Sequence, residues 1–362
     1  MLNENPFTTS FGKEPRQFLS RAEEEATIIN TFTADHPTQQ VFMITGVRGT
    51  GKTALLTRIK KDFRNRENWI VVELSPEGDL LASLVEKLCD LPFLRLLFKN
   101  ANINLSFFGI SLGIDSEPPI QSVGTALGRM MTAIKNSDRR LLIAVDEATN
   151  TENMRRFASE FQILLREEAP VFLLMTGLFK NIYDLQNEKT MTFLYRAPKI
   201  VLQPIEKIAV GNAYKEIFDL PNEQAFQMAE NVKGYAFAFQ LYGSLCFEAG
   251  GNGFSKAVMQ KYTAQLGELV YEKLWSELSP KDRKIVTVLA KHGSTAVKTA
   301  DLIREYNAEY PEDPTPMNSK LMSVYRERLK KEGLVTTENY GNLQLALPRF
   351  AEFVNEYGAI LL

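Results

Sequence analysis

Gly46-Val47-Arg48-Gly49-Thr50-Gly51-Lys52-Thr53 fits the spacing G-x-x-x-x-G-K-[ST], and the segments on either side fit it too. Gln40-Val41-Phe42-Met43-Ile44-Thr45 reads as a buried strand, and Ala54 to Lys61 reads as a helix that opens where the loop ends. Glycines at 46, 49 and 51 allow a sharp turn and leave no side chain between the main-chain amides and an anion. Those amides, from Val47 to Ala54, and the start of the helix form a cradle for phosphate. Lys52 has the reach and charge for β- and γ-phosphates, and the Thr53 hydroxyl is a ligand for Mg²⁺. The stretch therefore predicts binding of a nucleoside triphosphate, ATP with Mg²⁺. Cleavage of that nucleotide needs residues from elsewhere in the chain.

The totals narrow the field. A chain of 362 residues has room for two or three domains, and 44% hydrophobic with 24% charged residues is ordinary for a soluble globular protein. A net charge of -2 means that any nucleic-acid contact must come from a local basic patch. Cys89 and Cys246 have neither disulfide-framework nor zinc spacing, which fits a reducing, cytoplasmic setting. His36 and His292 have no companion motif. The first residues lack a basic-then-apolar leader, and no apolar run is long enough to span a bilayer.

Strand and helix signals alternate through the first two hundred residues. Phe7 to Pro15 reads as an extended lead-in, and Ser20 as the N-cap of a helix running to about Phe32. Strands are expected at 69–74, 140–147, 171–175 and 199–202, with helices between them. This pattern implies an α/β fold: a parallel sheet with helices on both faces and ligands at the carboxyl ends of the strands. Arg140-Leu141-Leu142-Ile143-Ala144-Val145-Asp146-Glu147 is apolar throughout and ends in two acids. Asp146 suits Mg²⁺, and Glu147 is placed to polarise the attacking water. Thr176 falls at the tip of another strand, so three separate segments converge on one end of the sheet. The stretch 91–119 stands apart as an insertion. Its alternating runs around a glycine, within Ile103 to Ile114, predict a hairpin.

After Gln203 the strands stop. Four helices, at about 206–217, 222–232, 235–248 and 254–267, form a helical lid. The domains expected are therefore 1–203, 204–268 and 269–362. In the last, Ser279-Pro280 opens the first of three helices, 334–337 and 343–347 form two short strands, and a final helix follows. That is the pattern of a winged helix-turn-helix. Residues 277–362 hold twelve basic and twelve acidic residues, but 318–331 has Lys320, Arg326, Arg328, Lys330 and Lys331 against Glu327 alone. This helix can enter the major groove of double-stranded DNA, with Lys320, Arg326 and Arg328 as contacts. The turn from Glu338 to Asn342 carries no Arg or Lys, which favours the other reading, a winged helix that docks on protein.

Together the Gly46–Thr53 loop, the Asp146-Glu147 strand, the helical lid and the winged unit resemble an AAA+ ATPase of the origin-recognition and replication-initiator type. The likeness covers nearly the full length. It implies that Arg21, in Phe18-Leu19-Ser20-Arg21, lies beside the adenine, in a box where Ser20 replaces glycine. It also implies that Thr176 is the sensor-one residue. Arg196 is then similar in place to an arginine finger that acts on a neighbouring copy, hence self-association; otherwise it is a surface arginine. One position departs from the family. The sensor-two arginine of a Gly-x-x-Arg pattern is replaced by Phe237 in Gly234-Tyr235-Ala236-Phe237. The same stretch resembles the Gly-x-Pro lid motif of STAND signalling ATPases, with Ala236 in place of proline. The lid's action on the γ-phosphate, and with it the rate of hydrolysis, therefore hangs on what replaces that arginine.

Overall fold

The computed structural model describes residues 4–10, 15–114, 117–188, 191–251, 253–337 and 341–358. The chain forms two compact units. One, the α/β unit, is Arg21–Thr45 with Lys52–Val201. The other, the helical unit, joins Met1–Ser20, Gly46–Gly51 and Leu202–Leu362.

The α/β unit contains strands β1 (Val41–Thr45), β2 (Trp69–Leu74), β3 (Arg140–Val145), β4 (Val171–Gly177) and β5 (Lys199–Val201). Its helices are α1 (Ala22–Thr33), α2 (Lys52–Arg64), α3 (Leu80–Asp90), α4 (Pro92–Asn100), α5 (Val123–Asn136), α6 (Glu152–Arg166), α7 (Phe179–Gln186) and α8 (Thr192–Arg196). The strands lie in the order β2-β3-β4-β1-β5, all parallel. Every residue of β1 and β4 is buried. Side-chain alternation sorts each strand onto two faces. Leu141, Ile143, Val145, Val171, Leu173 and Met175 share a core with α3, α5 and α6. On the other face Phe172 packs on Phe32 of α1 and on Trp69, which meets Phe63 of α2 at 4.4 Å between ring centroids. A strand walled by apolar layers on both sides reads as an unbroken apolar run, which is why these segments stand out in the sequence.

Two expectations fail here. Arg21, not Ser20, is the residue before α1, and no side chain caps that helix. The stretch 103–114 forms no strand. Pro92 opens α4, and Ser106–Phe108 make one 3₁₀ turn closed by the Gly109 N–H on the Ser106 carbonyl. Ile103, Leu105, Leu112 and Ile114 are buried as the alternation requires, but they pack into the α/β core and not across a hairpin.

The helical unit holds α9 (Lys207–Phe218), α10 (Asn222–Val232), α11 (Ala236–Glu248), α12 (Lys256–Leu266), α13 (Glu272–Glu277), α14 (Pro280–Ala290), α15 (Thr299–Glu309), α16 (Ser319–Lys331) and α17 (Phe350–Tyr357). A π-helical segment, Gly267–Tyr271, joins α12 to α13 without a break. Short strands β6 (Val297–Lys298), β7 (Val335–Thr336) and β8 (Asn342–Leu345) form an antiparallel sheet in the order β6-β8-β7. Residues 338–340 of the expected turn lie outside the described residues. The N-terminal lead-in is more than a lead-in. Phe7 is buried among Phe218, Tyr214 and Phe239, and Thr8 N–H donates to Gln240 at 2.9 Å. Gly243 on α11 leaves the space: a Cβ there would lie 2.6 Å from Phe7 Cδ1 and nearer still to two other atoms of the ring. Among the described residues no helix is long and apolar enough to cross a membrane.

Ion pairs consume much of the unit's basic charge. Asp313 accepts from the Tyr306 hydroxyl at 2.6 Å, from the Thr315 N–H at 3.0 Å and from Lys281 at 3.3 Å, with Lys284 at 3.4 Å. The Tyr306 hydrogen bond first, then Thr315 and Lys281, hold its carboxyl well below the usual carboxylate range. A carboxyl whose pKa is depressed by folding contributes stability that is full above its unfolded value of about 3.9 and is lost as pH falls through the folded one. Asp313→Asn should therefore lower thermal stability at neutral pH, and its deficit against the parent chain should shrink as pH drops from about 4 toward 2.

Candidate active site

Four of the residues singled out in the sequence meet through hydrogen bonds in the α/β unit. The Thr53 hydroxyl, in the first turn of α2, donates to Asp146 Oδ2 at 2.8 Å. The other carboxylate oxygen accepts from the Thr176 hydroxyl at the end of β4. The same Thr176 oxygen accepts from the Glu147 N–H at 3.1 Å, and the Ala148 N–H donates to the Thr176 carbonyl at 2.7 Å. Thr176 is fully buried, so its only proton is committed to Asp146. Its nearest chemistry is thus the fixing of Asp146 and Glu147.

Glu147 sits just past β3 with φ +55, a left-handed conformation that costs a non-glycine residue of order 1 kcal/mol. Its N–H donates both to Asp146 Oδ1, at 3.2 Å, and to the Thr176 hydroxyl oxygen, which holds it there. Its side chain is exposed. Lys52 opens α2 and is buried, as is Arg21, which lies 3.5 Å from Glu24; burial lowers the Arg21 pKa and Glu24 opposes that shift. Ala54 follows Thr53 in the same helical turn. Arg196 is exposed in the last turn of α8 and takes no part in these bonds.

The crest of the loop, Gly46–Gly51, belongs by its contacts to the helical unit. A turn is closed by Thr50, whose N–H and hydroxyl both donate to the Val47 carbonyl, at 3.3 and 2.9 Å. The Tyr235 hydroxyl donates to the Arg48 carbonyl, and the Phe237 N–H donates to the Gly49 carbonyl at 3.0 Å. Gly49 has φ +82, and a Cβ there would lie 2.8 Å from Tyr235 Cζ, so conformation and space both require glycine. Arg48 lies 3.8 Å from Glu277 at the end of α13, and Val47 Cγ2 packs on Gly333 just past α16. Gly234, at φ +67, accepts from the Ile205 N–H at 2.8 Å and sets up the start of α11. Phe237, at the position where the family pattern has an arginine, gives its main-chain N–H to the Gly49 carbonyl.

The expected DNA contacts divide. Lys320 is exposed on α16. Arg326 is half-buried and lies 3.5 Å from Glu327. Arg328 is not available for a groove: its guanidinium bonds Asp282, which is 3% exposed, and Ser279 at 3.2 Å. Lys281 and Lys284 are held by Asp313 and Lys291 by Glu309. Val324, 59% exposed, stands on the same outer face as Lys320. Sequence reasoning missed Tyr235, Glu277 and Gly333. The one available signal was Gly49, a glycine where the loop motif allows any residue.

Comparison with known proteins fits this geometry. Residues 20–91 match the KAP family P-loop domain, and residues 268–354 match a domain of unknown function, DUF8462. Among solved structures, a Walker-type ATPase of Pyrococcus abyssi superposes with a TM-score of 0.63 at 18% identity, over 93% of this chain and 96% of that one. The ORC2 protein of Aeropyrum pernix, in ADPNP–ADP complexes, gives 0.58 at 16% identity over 96% of each chain; its ADP form gives 0.51 at 15%, over 98% and 97%. No curated protein matches the chain. The chain has the fold of the P-loop ATPases, and of the origin-recognition type among them.

The bonds around Thr176 yield a direct test. Thr176→Val keeps the shape but removes one of the two acceptors of the Glu147 N–H and one of the two donors to Asp146 Oδ1, and should cost about 1 kcal/mol in denaturant unfolding. Thr176→Ser should restore most of that.

Proposed function

We propose that the protein is a Mg²⁺-dependent ATPase whose nucleotide state passes through the helical lid to a C-terminal winged helix. The observation that carries this reading is the Thr53–Asp146–Thr176–Glu147 chain of hydrogen bonds, fixed at the carboxyl ends of β3 and β4 beside the helix that follows the loop. A hydroxyl and a carboxylate oxygen 2.8 Å apart are hard oxygen donors that suit Mg²⁺, with Thr53 and Asp146 as the residues that would hold it. When bound, Mg²⁺ neutralises charge on the β- and γ-phosphates. Lys52 adds a positive charge on the same phosphates, and loop amides cradle them. Glu147 orients and deprotonates the attacking water, and Thr176 keeps Asp146 and Glu147 in register. Arg21 lies beside the adenine, and the exposed Arg196 reaches a neighbouring copy's γ-phosphate, which implies self-association. The ADP and ADPNP complexes of the Aeropyrum pernix protein support the nucleotide part.

The order α14–β6–α15–α16–β7–β8 supports a winged helix-turn-helix with α16 as its recognition helix. DNA binding would rest on Lys320 and Lys330 of α16, since Arg328 is engaged. A second reading, docking on protein, is favoured by exposed Val324 beside Lys320 and by the pairing of most neighbouring cations.

Two measurements decide these points. Glu147→Gln should keep ATP binding within a few-fold and lower turnover by about 10²-fold or more; equal turnover would remove Glu147 from its role. Fluorescence titration with double-stranded DNA should show binding that weakens steeply with salt, and Lys320→Ala should reduce that slope by about one charge. Absence of binding at low salt leaves the protein-docking reading.

A further inference from the structure

The P-loop motif leaves four positions open, here Val47, Arg48, Gly49 and Thr50. The first three are committed to partners within the helical unit. Val47 packs on Gly333 beyond α16, Arg48 lies near Glu277 of α13, and the Arg48 and Gly49 carbonyls take hydrogen bonds from Tyr235 and Phe237. The Arg48–Glu277 pair is long and partly exposed, so it contributes little. The two carbonyl bonds are different. Tyr235 is 4% exposed, and its burial raises the hydroxyl pKa far above that of a free phenol, with Arg48 opposing; the group is a permanent donor.

A peptide bond is planar and trans, so its C=O and N–H point in opposite directions. A donor that holds the Arg48 carbonyl therefore turns the Gly49 N–H the other way. Among the described residues that N–H has no acceptor, whereas the next one, of Thr50, bonds the Val47 carbonyl. Gly49 N–H is thus left for an outside anion.

On the nucleotide-binding reading above, the geometry points to Tyr235 as a positioning residue for the phosphate cradle: its hydroxyl, bonded to the Arg48 carbonyl, fixes the Arg48–Gly49 peptide so that the Gly49 N–H donates to a nucleotide phosphate. Phe237 N–H on the adjacent carbonyl locks the neighbouring peptide. Both bonds act on the main chain of the loop. Substitution at 235 should then change how well the loop holds phosphate before it changes the chemistry.

The test is Tyr235→Phe in the full chain, which keeps the ring and removes one hydroxyl. Titration with the fluorescent analogue mant-ADP and Mg²⁺ should give a Kd raised about three- to tenfold, the worth of one neutral hydrogen bond. Hydrogen exchange over 46–51 in the nucleotide-free chain should quicken, and kcat at saturating ATP should change less than KM. A lower melting temperature with unchanged Kd and unchanged exchange would make Tyr235 merely structural and overturn the proposal. If Tyr235→Phe fails to fold by circular dichroism, Phe237→Pro, which removes the second donor in a first helical turn that tolerates proline, carries the same expectations. Failure of the parent chain itself to bind mant-ADP overturns the nucleotide reading, and this one with it; binding by the parent with no change in either variant overturns this one alone.

Discussion

One carboxylate, that of Asp146, ties the α/β unit together at its working end. One oxygen takes the Thr53 hydroxyl from α2 and the other takes the Thr176 hydroxyl from β4, while β3 carries the group itself. A charged acceptor surrounded by hydroxyl donors is a strong anchor, because hydrogen bonds to ions are worth roughly twice those between neutral groups. It fixes the left-handed turn at Glu147 through the shared Thr176 oxygen. The parallel register of β3 and β4 makes this possible: Val145 lies opposite Met175, so the residues that follow each meet at the same edge.

The loop before α2 obeys a different master. Its crest is shaped by the start of α11, where the Tyr235 hydroxyl and the Phe237 N–H meet the Arg48 and Gly49 carbonyls. The loop motif leaves position 49 open; here a bulky neighbour, Tyr235, demands glycine. The same design recurs at Gly243, whose missing side chain is filled by Phe7, and at Gly234, where a side chain would strike Ile205. Each glycine is a place where two distant stretches of sequence come into contact.

That recurrence marks the boundary of what could be read in advance. The parallel sheet was legible because each strand is walled on both faces, which leaves an apolar run with no polar interruption. The bonded quartet at Asp146 was legible because its residues sit at strand tips and a motif. Interactions set by long-range pairing were not. Arg328 looked like a free cation on a basic helix, but its partner Asp282 is 46 residues earlier and buried. The alternation at 103–114 is real, yet alternation records which side chains are buried and not whether a partner strand exists. Strand β6 has two residues and left no pattern to find.

The discontinuity of the helical unit bears on how the chain reaches its native state. The α/β unit runs without a break from Arg21 to Val201 but for six loop residues, and its parallel sheet needs nothing beyond β5. During synthesis it emerges whole before α9 exists, and domains tend to fold as they emerge. Phe7 must then wait for α11, and so must the Arg48 and Gly49 carbonyls. A nascent chain, or one cut before α11, would thus own a finished sheet while the Arg48 and Gly49 carbonyls still lack the Tyr235 and Phe237 donors. The shape of the loop's crest is set late in synthesis, once α11 has been made.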